Sequence, residues 1–251
     1  TNAMTQRISD RETALDTARS LLQSCQKVVC FSGAGLSAES GIATFRDTET
    51  DALWSQYDPT ELASPEGFAA HPERVIDWYN WRRRRIAQAH PNAAHRALAQ
   101  RPDIVQITQN VDDLLERAGC KQASVIHLHG NITHDRCHQR CGFQHKIDLA
   151  NPPGPGRCPM CDAPLRPAVV WFGETLPQWA WQQAEKACRE AECLLVIGTS
   201  ASVYPAAGLI QVTKAMGGKV LVINTHASGA SALADMELIG PCGEWLPRLL
   251  S

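Results

Sequence analysis

Short apolar runs alternate with stretches of helical periodicity along most of the chain. Each run is brief and rich in β-forming residues, as expected for a strand buried in a sheet. The runs are KVVCF (27–31), DIVQIT (103–108), SVIHL (124–128), CLLVIG (193–198) and KVLVIN (219–224). Helical segments are predicted over 10–25, 92–100, 111–118, 178–191 and 205–216. The alternation predicts an α/β fold with a Rossmann-like parallel sheet and helices on both faces.

Two segments interrupt this alternation and predict a smaller lobe beside the sheet. Residues 48–91 are mostly helical in pattern and contain the basic, aromatic stretch DWYNWRRRR. Residues 134–166 are rich in Cys, His, Pro and Gly and show little periodicity, which disfavours helices and central strands. The Rossmann-like domain is then discontinuous, made of residues 4–47, 92–133 and 167–251, and the two segments are insertions into it.

Composition and charge exclude some classes of partner. The 251 residues carry 24 Lys and Arg against 26 Asp and Glu, a net charge of −2, so no global charge favours nucleic acid or an anionic membrane. No apolar run has membrane-spanning length and the first residues are polar, so we expect neither an anchor nor a secretory signal. Ten cysteines, of which four cluster, fit a reducing compartment better than a disulfide framework. A cytoplasmic location is therefore predicted.

The first predicted strand is followed by a glycine-rich loop. Gly33, Gly35 and Ala38 give the pattern G-x-G-x-x-A directly after KVVCF. Glycines allow a backbone to approach a pyrophosphate closely, so the loop is a candidate dinucleotide site. An ordinary site of this kind has an acidic residue about 20 residues later, at the end of the second strand. Around that distance the pattern is helical or loop and no strand ends there, so Asn224, which ends KVLVIN, is the best substitute. A tight turn without a ligand is the alternative.

Four cysteines form two close pairs. Cys137 and Cys141 are separated by three residues, Cys158 and Cys161 by two, and 16 residues lie between the pairs. Such pairs can hold a tetrahedral Zn²⁺, and four thiolates leave no open position, so the site is predicted to be structural. Residues 134–166 then form a zinc-ribbon insertion. His138 competes as a ligand in the wider first pair, and reduced cysteines or a redox C-x-x-C are the alternatives.

Polar residues follow two of the predicted strands. Gln109, Asn110 and Asp112 lie at the end of DIVQIT, where open α/β sheets bind ligands. His127 and His129 are predicted on one side of a strand that ends at Gly130, and a histidine opposite a cofactor loop can act as a general base. Helix capping by Asn110 and a purely structural histidine are the alternatives.

The stretch DWYNWRRRR contains a second candidate site. Tyr79 and Arg82 are three residues apart and share a face if the segment is helical. A phenol and a guanidinium can together bind a carboxylate, so an acidic ligand is one interpretation. Arg83, Arg84 and Arg85 are interpreted as a solvated basic face.

As a set, these motifs resemble the sirtuin family of NAD-dependent protein lysine deacylases. The resemblance rests on GAGLSAESGIATFR, TQNVD, HLHG, the cysteine pairs, VVWFGE, GTSASVYPAA, VIN and GPCG, in the family's order from about Val29 to Gly243. It implies that NAD is consumed as a co-substrate, with the segment after the glycine loop folded over its nicotinamide end. The acyl oxygen would attack the nicotinamide ribose, and His129 would then take a proton from a ribose hydroxyl. The products would be nicotinamide, free lysine and acyl-ADP-ribose.

The resemblance also implies a role for each matching residue. His129 and Asn110 would be catalytic. The NAD site would consist of Gly33, Ala34, Gly35, Ser37, Ala38, Phe45, Arg46, Asp47, Gln109, Asn110, Val111, Asp112, Gly198, Thr199, Ser200, Asn224 and Cys242. The segment Val170–Glu174 would pair with the backbone of an acyl-lysine peptide as an added strand, with Val170, Phe172, Gly173 and Glu174 as substrate-binding residues.

Within the family, the chain is similar to the class that removes acidic acyl groups. Tyr79 and Arg82 match that class's Tyr-x-x-Arg pair, and Ala63 matches its small residue at the pocket floor. The implied activity is removal of succinyl or malonyl groups, with deacetylation, mono-ADP-ribosyl transfer and non-catalytic NAD sensing as alternatives. Two features depart from the family pattern: Ala43 stands where Pro is usual, and the first cysteine pair is one residue wider.

Overall fold

The structure is a computed structural model that describes residues 2–42, 54–201 and 206–251. In these residues the strands are β1 (Val28–Ser32), β2 (Val105–Thr108), β3 (Val125–His127), β4 (Gly130–Cys137), β5 (Gln144–Lys146), β6 (Leu165–Val169), β7 (Cys193–Ile197), β8 (Lys219–Asn224) and β9 (Met236–Ile239). The helices are α1 (Asn2–Gln23), α2 (Ala34–Ala38), α3 (Pro59–Leu62), α4 (Pro65–Ala70), α5 (Pro72–Gln88), α6 (Ala93–Ala99), α7 (Leu114–Ala118), α8 (Gln178–Glu190), α9 (Ala206–Ala215) and α10 (Cys242–Leu249).

Six parallel strands form the main sheet in the order β3-β2-β1-β7-β8-β9. Counted along the sheet's own strands this is 3-2-1-4-5-6, the order of dinucleotide-binding sheets. The order reverses between β1 and β7, and ligands of such sheets bind beyond the carboxyl ends of the strands at this point. The predicted Rossmann-like fold is confirmed.

Neighbouring residues of each central strand pack on opposite faces of the sheet. Cys30 and Leu195 join a core with α1, α6 and α10, whereas Phe31 and Val196 join a core with α8 and α9. Both faces are therefore covered by helices, which explains why these strands are apolar throughout.

Several element boundaries differ from the sequence prediction. Helix α1 begins at Asn2 instead of residue 10, and α7 begins at Leu114 instead of 111. Asp112 delays α7, because its side chain accepts a hydrogen bond from the Leu114 amide at 3.0 Å and holds the preceding residues as a loop. Strand β9 and helix α10 were not predicted, since MELI is short and half exposed and α10 contains Pro247.

The small lobe combines α3, α4 and α5 with an antiparallel sheet in the order β5-β4-β6. Strands β4 and β6 extend beyond the predicted insertion 134–166 at both of its ends. The helical and β parts share one core, in which Trp78 of α5 packs in a cluster with Ile132 of β4 and Val169 of β6. Helix α5 and the two strands therefore pack in a single core of the small lobe.

Among the described helices, none has both the length and the apolar character needed to cross a membrane.

Candidate functional site

Three glycines pack against one another where the strand order reverses. A Cβ atom on Gly33 would lie 2.6 Å from Thr199 Cβ, and one on Gly35 would lie 2.6 Å from Gly198 Cα. Gly198 has a φ of +62°, and its own added Cβ would lie 2.5 Å from the Leu36 nitrogen. The glycine loop is thus a cradle that side chains would fill, as expected of a backbone surface built for close approach by a pyrophosphate.

Two cavities lie on either side of this cradle. The larger, of about 840 Å³, is lined by Ala34 and Ser37 of α2 and by His129 and residues of the small lobe. The smaller, of about 360 Å³, is lined by Gly35, Gly198 and residues that follow β8 and β9. The arrangement suits an elongated ligand that crosses the glycines with one end in each cavity.

A hydrogen-bonded network forms the sheet side of the larger cavity. Asn110 Nδ2 donates to the Gly33 carbonyl at 2.9 Å, and Ser37 Oγ donates to Asp112 Oδ2 at 2.8 Å. Burial raises the pKa of Asp112, although the hydrogen bonds from Leu114 and Ser37 oppose this shift. Asn110 therefore ties the loop after β2 to the glycine loop after β1, and Asp113, not Asn110, occupies the N-cap position of α7.

His129 lies in the turn between β3 and β4 and faces the same cavity. Its Nδ1 is 3.2 Å from the Gln109 carbonyl oxygen. A carbonyl only accepts, so Nδ1 carries the hydrogen and the neutral ring has its basic lone pair on Nε2. Burial lowers the pKa of His129, and the Gln109 carbonyl only partly opposes this. The ring is thus held as a neutral base at the edge of the cavity.

His127 has different surroundings, although the sequence suggested a shared strand face. Strand β3 ends at His127, so the predicted strand as far as Gly130 is wrong. His127 Nδ1 is 2.8 Å from the Asn110 carbonyl, and Nε2 is 3.2 Å from Glu116 Oε1. Burial lowers the pKa of His127, but the hydrogen bond and charge of Glu116 outweigh it and the net shift is upward. His127 braces the loop that carries Asn110.

The smaller cavity contains the expected substitute for a ribose-binding acid. Asn224 ends β8, and its Nδ2 donates to the Thr199 carbonyl at 2.6 Å. Thr199 Oγ1 in turn donates to Gln109 Oε1 at 3.0 Å, so the end of β8 is linked to the loops that follow β7 and β2. The structure brings together Ala38, Gly198, Thr199, Ser200, Asn224 and Cys242 around this cavity. Three further predicted NAD-site residues, Phe45, Arg46 and Asp47, lie outside the described residues, as does Ala43.

Tyr79 and Arg82 line the larger cavity from helix α5, together with Ala63. Tyr79 is 1% exposed, and its hydroxyl accepts a hydrogen bond from Trp171 Nε1 at 2.9 Å. The guanidinium carbon of Arg82 lies 5.4 Å from the centre of the Tyr79 ring. Burial raises the pKa of Tyr79, so the phenol is protonated at neutral pH, and burial lowers the pKa of Arg82, whose guanidinium lies beside the phenol on the cavity wall.

Arg83 corrects the interpretation of Arg83, Arg84 and Arg85 as a solvated basic face. Its side chain is buried, and Nη2 pairs with Asp135 Oδ1 at 2.8 Å. Its Nε donates to the Ile132 carbonyl at 3.0 Å, so Arg83 joins α5 to β4. Arg84 and Arg85 are exposed, as predicted.

The Val170–Glu174 segment is an irregular stretch with several backbone groups already bonded. The Val170 amide donates to the His129 carbonyl at 2.8 Å, and the Phe172 amide donates to the Ala63 carbonyl at 2.9 Å. Glu174 forms two 2.8 Å bonds with the buried Arg166. These two amides are therefore engaged within the chain, and the Glu174 carboxylate is anchored by a cation of the protein.

The four predicted zinc ligands converge in the small lobe. Their sulfur atoms all lie within 4.8 Å of one another, with Cys137 and Cys161 at 3.3 Å and Cys141 and Cys158 at 3.5 Å. A tetrahedron of Zn–S bonds has edges of about 3.8 Å, so the cluster fits a structural zinc ion. Arg140, at a φ of +59°, takes up the extra residue of the first pair. His138 instead packs against Phe68, with ring centres 5.2 Å apart.

Sequence reasoning missed part of the cavity wall. Ile42, Ile86, Val169, Trp171 and Leu176 also line the larger cavity. Most are apolar and carry no motif of their own. Trp171 lies within VVWFGE, next to the predicted substrate-binding residues, and this position was the one sequence signal that it lines the cavity.

Comparison with known proteins identifies the family. Residues 33–205 match the model of the Sir2 family. NAD-dependent protein deacylases of Ralstonia nicotianae and Methylococcus capsulatus are each 44% identical to the chain, and the alignments cover 93% and 91% of it and 95% and 93% of the relatives. A crystal structure of a Sir2 homologue in complex with NAD matches with a TM-score of 0.84 at 42% identity, covering 95% of this chain and 92% of the other. A Sir2 structure bound to a propionylated peptide matches with a TM-score of 0.78 at 32% identity, covering 92% and 94%. The chain therefore belongs to the Sir2 family, the sirtuin family of NAD-dependent protein deacylases.

Proposed function

We propose that this protein is an NAD-dependent protein lysine deacylase that prefers acyl groups carrying a negative charge, such as succinyl and malonyl. One observation carries the proposal: Tyr79 and Arg82 line the same 840 Å³ cavity as the candidate base His129. The reacting amide and the far end of the acyl group would thus lie in one enclosed space.

The acyl end of the cavity suits a carboxylate. Desolvation lowers the pKa of Arg82, which means that the protein interior disfavours its charge. A carboxylate beside Arg82 would offset that cost, because opposite charges attract strongly where water is excluded. Ala63 has a single methyl group on the same wall and leaves room for a chain longer than acetyl.

The NAD site is assigned to the glycine cradle and the two cavities beside it. Gly33, Gly35 and Gly198 would accept the pyrophosphate, with Asn224 and Cys242 around the adenosine half and Asn110 and Asp112 near the nicotinamide half. When bound, NAD supplies an electrophilic ribose carbon with nicotinamide as the leaving group. Among the protein's own groups, His129 Nε2 accepts a proton and Gln109 fixes the tautomer that makes this possible.

A paired-peptide assay tests the proposal. One peptide would carry either acetyl-lysine or succinyl-lysine, and mass spectrometry would follow acyl loss with and without NAD. We expect NAD-dependent loss of succinyl to exceed loss of acetyl. Efficient acetyl loss alone would indicate a deacetylase without a carboxylate preference. If the NAD is labelled, transfer of the label to protein would favour ADP-ribosyl transfer.

Arg82→Met identifies the residue responsible. A charge-assisted hydrogen bond contributes about 1.5–3 kcal/mol, so desuccinylation should fall roughly 10- to 100-fold relative to deacetylation. Arg84→Met is the matched control, because Arg84 is an exposed arginine of the same helix. Equal loss of both activities in Arg82→Met would contradict the proposal.

A further inference from the structure

Trp171 lies behind the candidate acyl site and makes a hydrogen bond that determines what Tyr79 can do. An indole N–H only donates, whereas a phenol has one donor hydrogen and two acceptor lone pairs. The 2.9 Å bond from Trp171 Nε1 therefore places the Tyr79 oxygen in the acceptor role. The guanidinium carbon of Arg82 lies 5.4 Å from the centre of the Tyr79 ring, and a guanidinium has no acceptor atom, so Arg82 can only donate to the phenol oxygen.

Neither Trp171 Nε1 nor Arg82 can accept, so the hydroxyl hydrogen of Tyr79 needs an acceptor elsewhere. Within residues 2–42, 54–201 and 206–251, no protein acceptor takes a hydrogen bond from Tyr79. Tyr79 borders the cavity, so an acceptor can reach it from there. A carboxylate is an acceptor-only group, and it would take hydrogen bonds from Tyr79 and Arg82 together. A neutral methyl group would leave the buried hydroxyl hydrogen without a partner, which is costly.

The surroundings of Trp171 hold its indole in place. The residue is 2% exposed, and the guanidinium carbon of Arg166 stacks 3.4 Å from the centre of its ring. Its backbone amide donates to Glu174 Oε1 at 2.8 Å, and Glu174 is itself anchored on Arg166. Arg166 and Glu174 thus fix the ring and the backbone of the same residue. Rotation of the indole away from Tyr79 would break this packing.

We infer that Trp171 is a positioning residue for acyl selection: its indole N–H occupies the acceptor side of the Tyr79 hydroxyl, so that the phenol donates to an acidic acyl group. The inference rests on the proposed function and deepens it. It assigns part of the preference for a carboxylate to a residue that acts through Tyr79.

Trp171→Phe tests this, because it keeps an aromatic ring and removes only the indole N–H side. We expect the ratio of kcat/KM for the succinyl peptide to kcat/KM for the acetyl peptide to fall about tenfold, mainly through a higher KM for the succinyl peptide. Tyr79→Phe should lower the same ratio, and the double variant should lose little more, because both changes remove one contact chain. Trp78→Phe is the matched control for loss of a buried indole beside Tyr79, since the Trp78 and Tyr79 ring centres lie 4.7 Å apart in an edge-on arrangement.

The outcomes separate the inference from the proposed function. A wild-type protein with equal activity on both peptides would overturn the proposed function and the inference with it. A wild-type succinyl preference that Trp171→Phe leaves unchanged, or fully additive losses in the double variant, would overturn the inference alone. Should Trp171→Phe fold poorly, the Tyr79→Phe variant still tests the inference. An unchanged succinyl-to-acetyl ratio in Tyr79→Phe would show that the phenol donates no hydrogen bond to the acyl group, and would overturn the inference.

Discussion

The glycine-rich edge of the sheet and the acyl end of the cavity are built from different chemistry. At the sheet edge the surface is backbone, and three glycines pack so closely that any Cβ would collide with a neighbour. At the acyl end the surface consists of side chains, with Tyr79 bonded to Trp171 and α5 joined to β4 by Arg83. A backbone surface can serve one ligand shape, whereas a side-chain surface can change its specificity by substitution. On the proposed function, a substitution at the acyl end could therefore change the acyl preference and leave the glycine cradle unchanged.

The largest effect is expected at the point where the two regions meet. His129 is bonded through Nδ1 to the sheet edge and through its carbonyl to Val170. General-base catalysis contributes roughly 10²- to 10⁴-fold, so His129→Ala should lose turnover by that factor on every acyl peptide. NAD binding by calorimetry and the thermal midpoint check that the variant is folded. Turnover close to wild type would remove His129 from the proposed role.

The next effect should separate two neighbouring arginines of the small lobe. Arg83→Met leaves the buried Asp135 without its partner and should lower the free energy of unfolding by about 3–5 kcal/mol. Arg84→Met, on the exposed side of α5, should change it by less than about 0.5 kcal/mol. Chemical denaturation of both variants measures the difference. Similar values would mean that the Arg83–Asp135 pair does not hold the two parts of the lobe together.

The sequence predicted the sheet edge better than the side-chain wall, for a physical reason. The glycine loop, Gln109 and Asn110 directly follow apolar strands, and the position of a strand's end in a parallel sheet follows from the fold. Arg83, Arg84 and Arg85, in contrast, could not be told apart from the sequence. Only the packing of α5 on β4 decides that Arg83 is buried and Arg84 is not.

Turns and contacts between distant residues could not be predicted from the sequence, for related reasons. His129 lies beyond the end of β3, because the backbone turns into β4 at Gly130, where φ is +89°. The bond between Trp171 and Tyr79 joins residues 92 positions apart, and no local pattern reports such a pair. The pairing of Tyr79 with Arg82 could be predicted because both lie on one helix, where residues three apart share a face.

A glycine substitution should weaken the NAD site without altering acyl choice. Gly35→Ala places a Cβ 2.6 Å from Gly198 Cα, and overpacking of this kind costs about 1–3 kcal/mol. The clash lies within the protein, so Gly35→Ala must displace the cradle itself; a similar loss in pyrophosphate binding should raise the KM for NAD roughly 10- to 100-fold while the succinyl-to-acetyl ratio stays the same. Gly154→Ala is the control, because a Cβ there meets no atom within 4 Å. A changed acyl ratio in Gly35→Ala would show that the two regions are not independent.

The smallest expected effect is on the pH dependence of kcat/KM, which should be set at the sheet edge and not at the acyl end. Burial lowers the pKa of His129 from its ordinary value of 6.5, so the neutral, proton-accepting form predominates at pH 6.5 and above. The acid limb of kcat/KM should therefore lie below pH 6.5, with more than half of the plateau value retained at that pH. Because His129 is held by Gln109 and not by the acyl wall, the limb should coincide for acetyl and succinyl peptides at pH values where the succinyl carboxylate is ionised. A limb at or above 6.5, or one that moves with the acyl group, would mean that the acyl end controls the base and that the two regions act as one.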